Sequence, residues 1–485
     1  MSVQDAPSLA QPKRTLTDLL VTIALTGMCL ALLVRLYTDA RTAGLIAAGC
    51  FLVFAITGQK FFSLRERFLL IMAIGLTVAA TQLPVDLPLL AERALNQASF
   101  LAAFMILLAL LRDGAVTSDA VLGVGRYLTR QPPGRRYAAI TVGGHGLGVI
   151  LNFGTLSLLG PLIQRGLREG APDSDRHLIE IRERRQISAL ARGFSWIIVW
   201  SPTAVTQALV SAMVAGAQQS RMAAMGAAVA IAVLFAGWLE DRFQGVRARA
   251  KLSAGGHQLP TGSALPFPKE EFSRFAAAFL SLAGLTIGVM LLTGVKTIPA
   301  LLLVAPVVTV CWVGLQNRHL ADAAARTRAR LVEILIVSVP RSSPEALTLA
   351  VAGYCGIMAA GLSNADMLAG LIRLDGIPPL VIYLVAAAIV PLASNIAVPP
   401  IFTVTFLGSL YSALPAPPGD PTLLGLAFAL GWALNLSASP FGATALVLSR
   451  ITGIPATTLS WRWNGWFTVI AYAIVAAALA LFSSL

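Results

Sequence analysis

The sequence predicts an all-α polytopic membrane protein, and three observations predict it. Apolar runs long enough to cross a bilayer recur along the chain. The loops between them alternate between rich and poor in basic residues. Two apolar stretches are interrupted by polar and proline residues where an ordinary span would not tolerate them. Of the 485 residues, 56% are hydrophobic, and the mean hydropathy is +0.76. Only 12% are charged, against about 25% in a typical soluble domain.

A helix needs ~20 apolar residues to cross the hydrocarbon core. Runs of that order are Leu19 to Leu36, Phe68 to Leu83, Met222 to Trp238, Phe275 to Leu292 and Phe467 to Phe482. The first reads as a span and not as a signal peptide, because its run is long and no small-residue cleavage site follows. The net charge of +13 does not point to nucleic acid, since the basic residues sit in short loops between spans and there set topology. Cys29, Cys50, Cys311 and Cys355 lie within apolar runs without metal-ligand spacing. They read as small buried hydrophobes.

Basic loops orient the chain. Lys13 and Arg14 place the N-terminus in the cytoplasm, and Lys60, Arg65 and Arg67 mark the next inner loop. Further inner loops carry Arg126 to Arg136, Arg165 to Arg185, the polar linker Glu240 to Glu271, Arg318 to Arg330, and Arg450 with Arg462. Asp86 to Arg93 and the arginine-free Ser412 to Thr422 belong outside. Threading these signs gives about 11 crossing helices in the inner membrane of a bacterial-type cell.

Two apolar stretches cannot be crossings without breaking that pattern. Tyr137 to Ile163 is basic at both ends. Pro378 to Ala413 must have both ends outside. Each must enter and return by the same face, as a re-entrant hairpin. Non-helical backbone at membrane depth survives only where protein buries it or it lines a cavity. The breaks fall at Asn152, Gly154 and Thr155 and at Ser394 and Asn395.

The pattern repeats. After each hairpin comes an apolar segment with a second polar break, Ser201-Pro202-Thr203 in residues 188–214 and Ser437 to Thr444, with Ser439-Pro440 and Gly442, in residues 422–449. Before each hairpin comes a span and a short amphipathic piece, Ser118 to Arg130 and Asn364 to Gly376. Such pieces suit helices lying in the interface. The chain therefore divides into N-terminal scaffold helices (1–93), a first repeat (94–239), a linker with central scaffold helices (240–343) and a second repeat (344–485) of opposite orientation. Inverted repeats with broken helices at the midplane mark secondary transporters. Helix N-termini at such breaks attract anions. Freed carbonyls and Ser, Thr and Asn oxygens hold cations.

This order of elements resembles the ion transporter superfamily, which includes the divalent-anion/sodium symporters and the arsenite-pump membrane subunit. The symporters carry Ser-Asn-Thr at each hairpin tip. Here the tips read Leu151-Asn152-Phe153 and Ser394-Asn395-Ile396, and Pro161 matches a proline of the first half. "WSPTAVT" and "SASPFGAT" resemble the symporters' Thr-Pro-rich loops. The resemblance spans roughly Ala94 to Phe482. It implies a homodimer with an elevator-like transport domain moving against a scaffold.

The expected function is ion-coupled transport of a small anionic solute, with no enzymatic activity and no cofactor beyond a coupling Na+. The alternatives are a sodium/proton antiporter, an oxyanion or metalloid efflux permease of the same fold, or an intramembrane transferase. A transferase needs paired carboxylates or a His/Asp set, and the proposed site segments contain neither Asp nor Glu. No GxxxxGK[ST] loop occurs. Sodium is favoured over protons because neutral oxygens suffice for it, whereas proton carriers use an intramembrane carboxylate or histidine. His145 is the candidate proton site; its bland role is a hydrogen bond to a nearby carbonyl. Arg192 is expected to snorkel to the cytoplasmic face. Arg182 to Arg185 is expected to be a solvated loop. Trp196, Trp200 and Trp432 are expected to pack or anchor.

Overall fold

In the computed structural model the described residues are 15–169, 176–254, 266–363, 367, 370 and 376–484. All regular structure among them is helical. Most of the second amphipathic piece, Asn364 to Gly376, lies outside the described residues. So do Lys13 and Arg14.

Three helices open the chain: α1 (Leu16–Thr38), α2 (Arg41–Thr57) and α3 (Leu64–Ala80). Capping boxes start α1 and α3, where Thr15 pairs with Asp18 and Ser63 with Glu66. Each supplies partners for backbone N–H groups that the helix leaves open. The first half then runs α4 (Leu87–Ala115), α5 (Asp119–Thr129), α6 (Pro133–Leu151), α7 (Gly154–Glu169), α8 (Arg176–Ser195), α9 (Val205–Met213) and α10 (Gln219–Ala254). Two connecting spans follow, α11 (Lys269–Thr293) and α12 (Thr297–Asn317). A surface helix, α13 (Ala323–Glu333), leads through a π turn and the short α14 (Val339–Arg341) to α15 (Ser343–Leu362). The second half ends with α16 (Pro379–Asn395), α17 (Pro400–Ser412), α18 (Pro421–Ala438), α19 (Ala443–Thr452) and α20 (Trp463–Ser483).

Among the described residues, nine segments are long and apolar enough to cross a membrane. The sequence count of about 11 adds α3, with 17 residues, and the broken pair α8–α9, whose first half is rich in arginine. Each stretch expected to form a hairpin is two short helices, α6 with α7 and α16 with α17. The first is longer at both ends than Tyr137 to Ile163. Two linker expectations change. Arg182 to Arg185 is helical, not a loop, and Arg185 binds Asp241 through both guanidinium arms at 2.7 Å. The segment after Glu240 continues α10 as far as Ala254.

The same packing pairs recur in both halves. The first hairpin arm lies along the helix before the second break: α6 on α8, and α16 on α18. The second hairpin arm lies on the short helix after the other half's break: α7 on α19, and α17 on α9. The leading helices α4 and α15 pack against each other. Close approach within each half depends on a glycine. A Cβ on Gly193 of α8 would sit 2.3 Å from the Thr141 carbonyl oxygen of α6, and one on Gly431 of α18 would sit 2.5 Å from that of Ala387 on α16. Small residues at such crossings let helix backbones touch in an apolar medium.

Candidate functional site

In the first half the chain reverses at Asn152, which caps α6 at a positive φ of 48° with ψ −130°. Asparagine tolerates positive φ better than most residues. Gly154 then opens α7, with the Arg112 stem so close that a Cβ would meet its Cγ at 2.9 Å. Thr155 is fully buried, and its hydroxyl has no hydrogen-bond partner. The second break is tied to this hairpin. The Ser201 and Thr203 hydroxyls are 2.7 Å apart, and Thr203 Oγ1 donates to the Val149 carbonyl at 2.6 Å. Pro202 lies in the turn between α8 and α9, where its missing N–H costs no helical bond.

The second half repeats the joint with different atoms. Ser394, buried near the end of α16, has its carbonyl held by Ser439 Oγ at 3.0 Å. Asn395 ends α16. Its amide donates to the Pro391 carbonyl at 2.8 Å, and its oxygen accepts from the Trp461 indole at 3.0 Å. Ala397 follows at φ 67°. Ser437 donates back to the Leu434 carbonyl at 3.0 Å. Gly442 caps α19 at a very tight point, where a Cβ would sit 3.0 Å from the backbone oxygens of both Asn435 and Ser439. Thr444 is buried, and its hydroxyl lacks a partner.

Thr206, Gln207 and Asn435, absent from the sequence expectation, belong to these breaks. Thr206 follows Ser201-Pro202 as Thr444 follows Ser439-Pro440, and Gly193 and Gly431 precede them with the same spacing. The signal was a repeated Ser-Pro-x-x-x-Thr, legible only once the breaks are aligned. Thr206, like Thr444, is 1% exposed with an unpartnered hydroxyl. Beside it, Gln207 donates to the Val199 carbonyl at 2.5 Å while its own oxygen stays unpartnered. Asn435 Oδ1, in the last turn of α18, is also buried and unpartnered. Each such atom costs on the order of 1–3 kcal/mol. Other buried unpartnered atoms lie away from the breaks, on Gln97, Ser343, Thr403 and Thr405 among others; those at the breaks are candidate contacts for a ligand or an ordered water.

His145 is fully engaged. Its Nε2 takes the Trp200 indole N–H at 3.0 Å, and its Nδ1 is 2.8 Å from the Gly193 carbonyl. An indole N–H can only donate and a carbonyl can only accept, so the ring is the neutral Nδ1–H tautomer. Trp196 is fully buried, and Trp432 nearly so. Arg192 does not snorkel. It is 4% exposed and spans four helices. Its Nη1 lies 2.8 Å from Glu240 of α10 and 3.0 Å from the Tyr137 hydroxyl of α6; its Nε donates to Asn464 of α20 at 2.8 Å. The guanidinium also lies 4.1 Å from the Phe467 ring centroid. A buried charge is stable only when paired and hydrogen-bonded. Glu240 supplies the pair from outside the hairpin and break segments, where sequence order gave no hint of it. Cys29 and Cys355 are buried as expected, whereas Cys311 is exposed.

No family model and no curated protein sequence matches this chain. Among solved structures, the YdaH transporter of Alcanivorax borkumensis is similar over 86% of this chain and 98% of its own, with 12% identity and a TM-score of 0.52. At that identity the likeness is one of fold. This chain is a multi-pass α-helical membrane protein with the fold of a membrane transporter.

Proposed function

We propose that this chain is an ion-coupled secondary transporter. It carries a small anionic solute across the inner membrane by an elevator-like alternation of its two hairpin-and-break units against the N-terminal and central scaffold helices. The recurrence of packing pairs supports an inverted repeat, and the YdaH transporter, itself a membrane transporter, supports the class. One observation carries the reading. Five buried polar atoms, on Thr155, Thr206, Gln207, Asn435 and Thr444, have no partner and flank the breaks. All five are neutral oxygens of the kind that bind Na+, and helix N-termini beside them favour an anion. The coupling ion is therefore sodium, and the working unit is a homodimer, as the resemblance to the ion transporter superfamily implies.

The test is a solute screen by thermal stabilisation of purified protein, with and without sodium. A ligand that binds only the folded state raises stability with the logarithm of its concentration over its dissociation constant. A small anion that stabilises in sodium and not in potassium supports the proposal. Stabilisation by cationic or neutral solutes alone, independent of sodium, overturns it.

A further inference from the structure

We infer that the groove between the end of α12 and α13 binds an anionic phospholipid of the cytoplasmic leaflet. The groove is a cavity of 640 Å³, lined by Gly314 and Arg318 from the α12 end and by Thr327, Arg328, Leu331 and Leu335 from the α13 side. It is remote in sequence from the hairpins and breaks.

Three features select the occupant. First, α12 is an apolar candidate span ending at Asn317, and α13 follows within a few residues, so the groove lies where that span leaves the bilayer. Second, α13 buries none of its residues, and Val332 and Leu335 are exposed. An apolar groove at that depth faces acyl chains, not water. Third, its rim is cationic. Arg318, Arg326 and Arg328 are exposed. Among the described residues, Arg326 and Arg328 have no ion-pair partner, and Arg318 donates only to His319, at 2.9 Å. The acidic neighbours do not outweigh the rim: Glu333 is held by Arg330 at 2.8 Å, and Asp322, at the start of α13 beside the lining residue Ala323, is one carboxylate against Arg318, Arg326 and Arg328. Arg330 itself is turned inward, donating to the Asp113 carbonyl of α4 at 3.0 Å.

An anionic head group matches this arrangement. Guanidinium forks hold phosphate through paired hydrogen bonds, and basic pockets between spans on the cytoplasmic side take acidic lipid head groups. The phosphate lies between Arg318 and Arg328, with one acyl chain over Gly314 and Leu331. The Arg330 bond to the Asp113 carbonyl joins α13, beside this lipid, to α4.

The test uses the full chain in detergent and reads lipid binding, not transport, so it stands or falls apart from the proposed function. Retention of phosphatidylglycerol and phosphatidylcholine is measured by native mass spectrometry and thermal shift, with inorganic phosphate as a third arm. Phosphatidylglycerol is expected to bind and stabilise, and the other two not. Arg318→Gln and Arg328→Gln should each weaken phosphatidylglycerol about fivefold, the contribution of one basic residue at an anionic surface. Gly314→Leu fills the groove floor without changing charge, and should lose the lipid while the arginines remain. Equal retention of the two lipids, full retention by the double arginine variant, or equal stabilisation by inorganic phosphate would each overturn the inference.

Discussion

The Trp200 indole donates to His145 Nε2 at 3.0 Å, and so fixes the histidine as a neutral ring at the edge of the first break. Protonating that nitrogen would set two N–H groups against each other and expel the indole. The geometry therefore opposes a role for His145 as an easily loaded proton site. Proteoliposomes with a sodium gradient at equal pH should accumulate solute, and His145→Gln should keep most of that uptake. Uptake driven by a pH gradient alone, and lost in His145→Gln, would make His145 the coupling residue and refute sodium coupling.

Thr206→Val and Thr444→Val keep side-chain shape while removing an unpartnered buried hydroxyl. Without solute each variant should be as stable as the parent, or more stable by up to about 1–3 kcal/mol. With solute and sodium each should bind more weakly. The opposite signs separate a ligand-facing hydroxyl from one that merely packs. A loss of unliganded stability in both variants would end this reading. Asn152→Ala should abolish transport with expression intact. Asn395→Ala should do so as well, and should also loosen the contact with Trp461.

Breaking the Arg192–Glu240 pair leaves a buried charge alone. Glu240→Gln or Arg192→Gln should destabilise the protein by about 3–5 kcal/mol. The double change Arg192→Met with Glu240→Leu should recover much of that loss. Thermal unfolding in detergent checks this. Single variants as stable as the parent would show that the pair is solvated and not buried.

Gly442→Ala places a methyl group 3.0 Å from the backbone oxygens of Asn435 and Ser439, tighter than ordinary contact, so the backbone at the end of α18 must shift. It should lower thermal stability and halt transport. Gly465→Ala, where a Cβ meets nothing within 4 Å, is the control and should be neutral. A functional Gly442→Ala protein would show that the second break is looser than the structure describes.

On a cysteine-free background, Gly134→Cys and Gly166→Cys at the two ends of the first hairpin should label only from the cytoplasm. Both positions are open, with no atom within 4 Å of an added Cβ. Ala416→Cys, in the exposed loop before α18, should label only from outside. Labelling of the first two sites from opposite faces would make α6–α7 a crossing and remove the inverted repeat.

Hydropathy, charged loops and the Ser-Pro and asparagine breaks were enough to read the all-α class and the places where its helices are interrupted. Those features are local: a run of apolar residues, or a proline without its N–H, acts on its own segment whatever surrounds it. Partner identity is not local. Arg192 looked like a snorkelling arginine because its own segment offers no carboxylate; the fold brings Glu240 and Asn464 to it from α10 and α20. His145 looked titratable until packing set Trp200 and the Gly193 carbonyl on its two nitrogens. Thr206 was invisible as one threonine among many, because only burial could show that its hydroxyl, like that of Thr444, has been taken from water and given no partner. Which polar groups are satisfied depends on contacts between residues far apart in the chain, and those contacts exist only once the helices have packed.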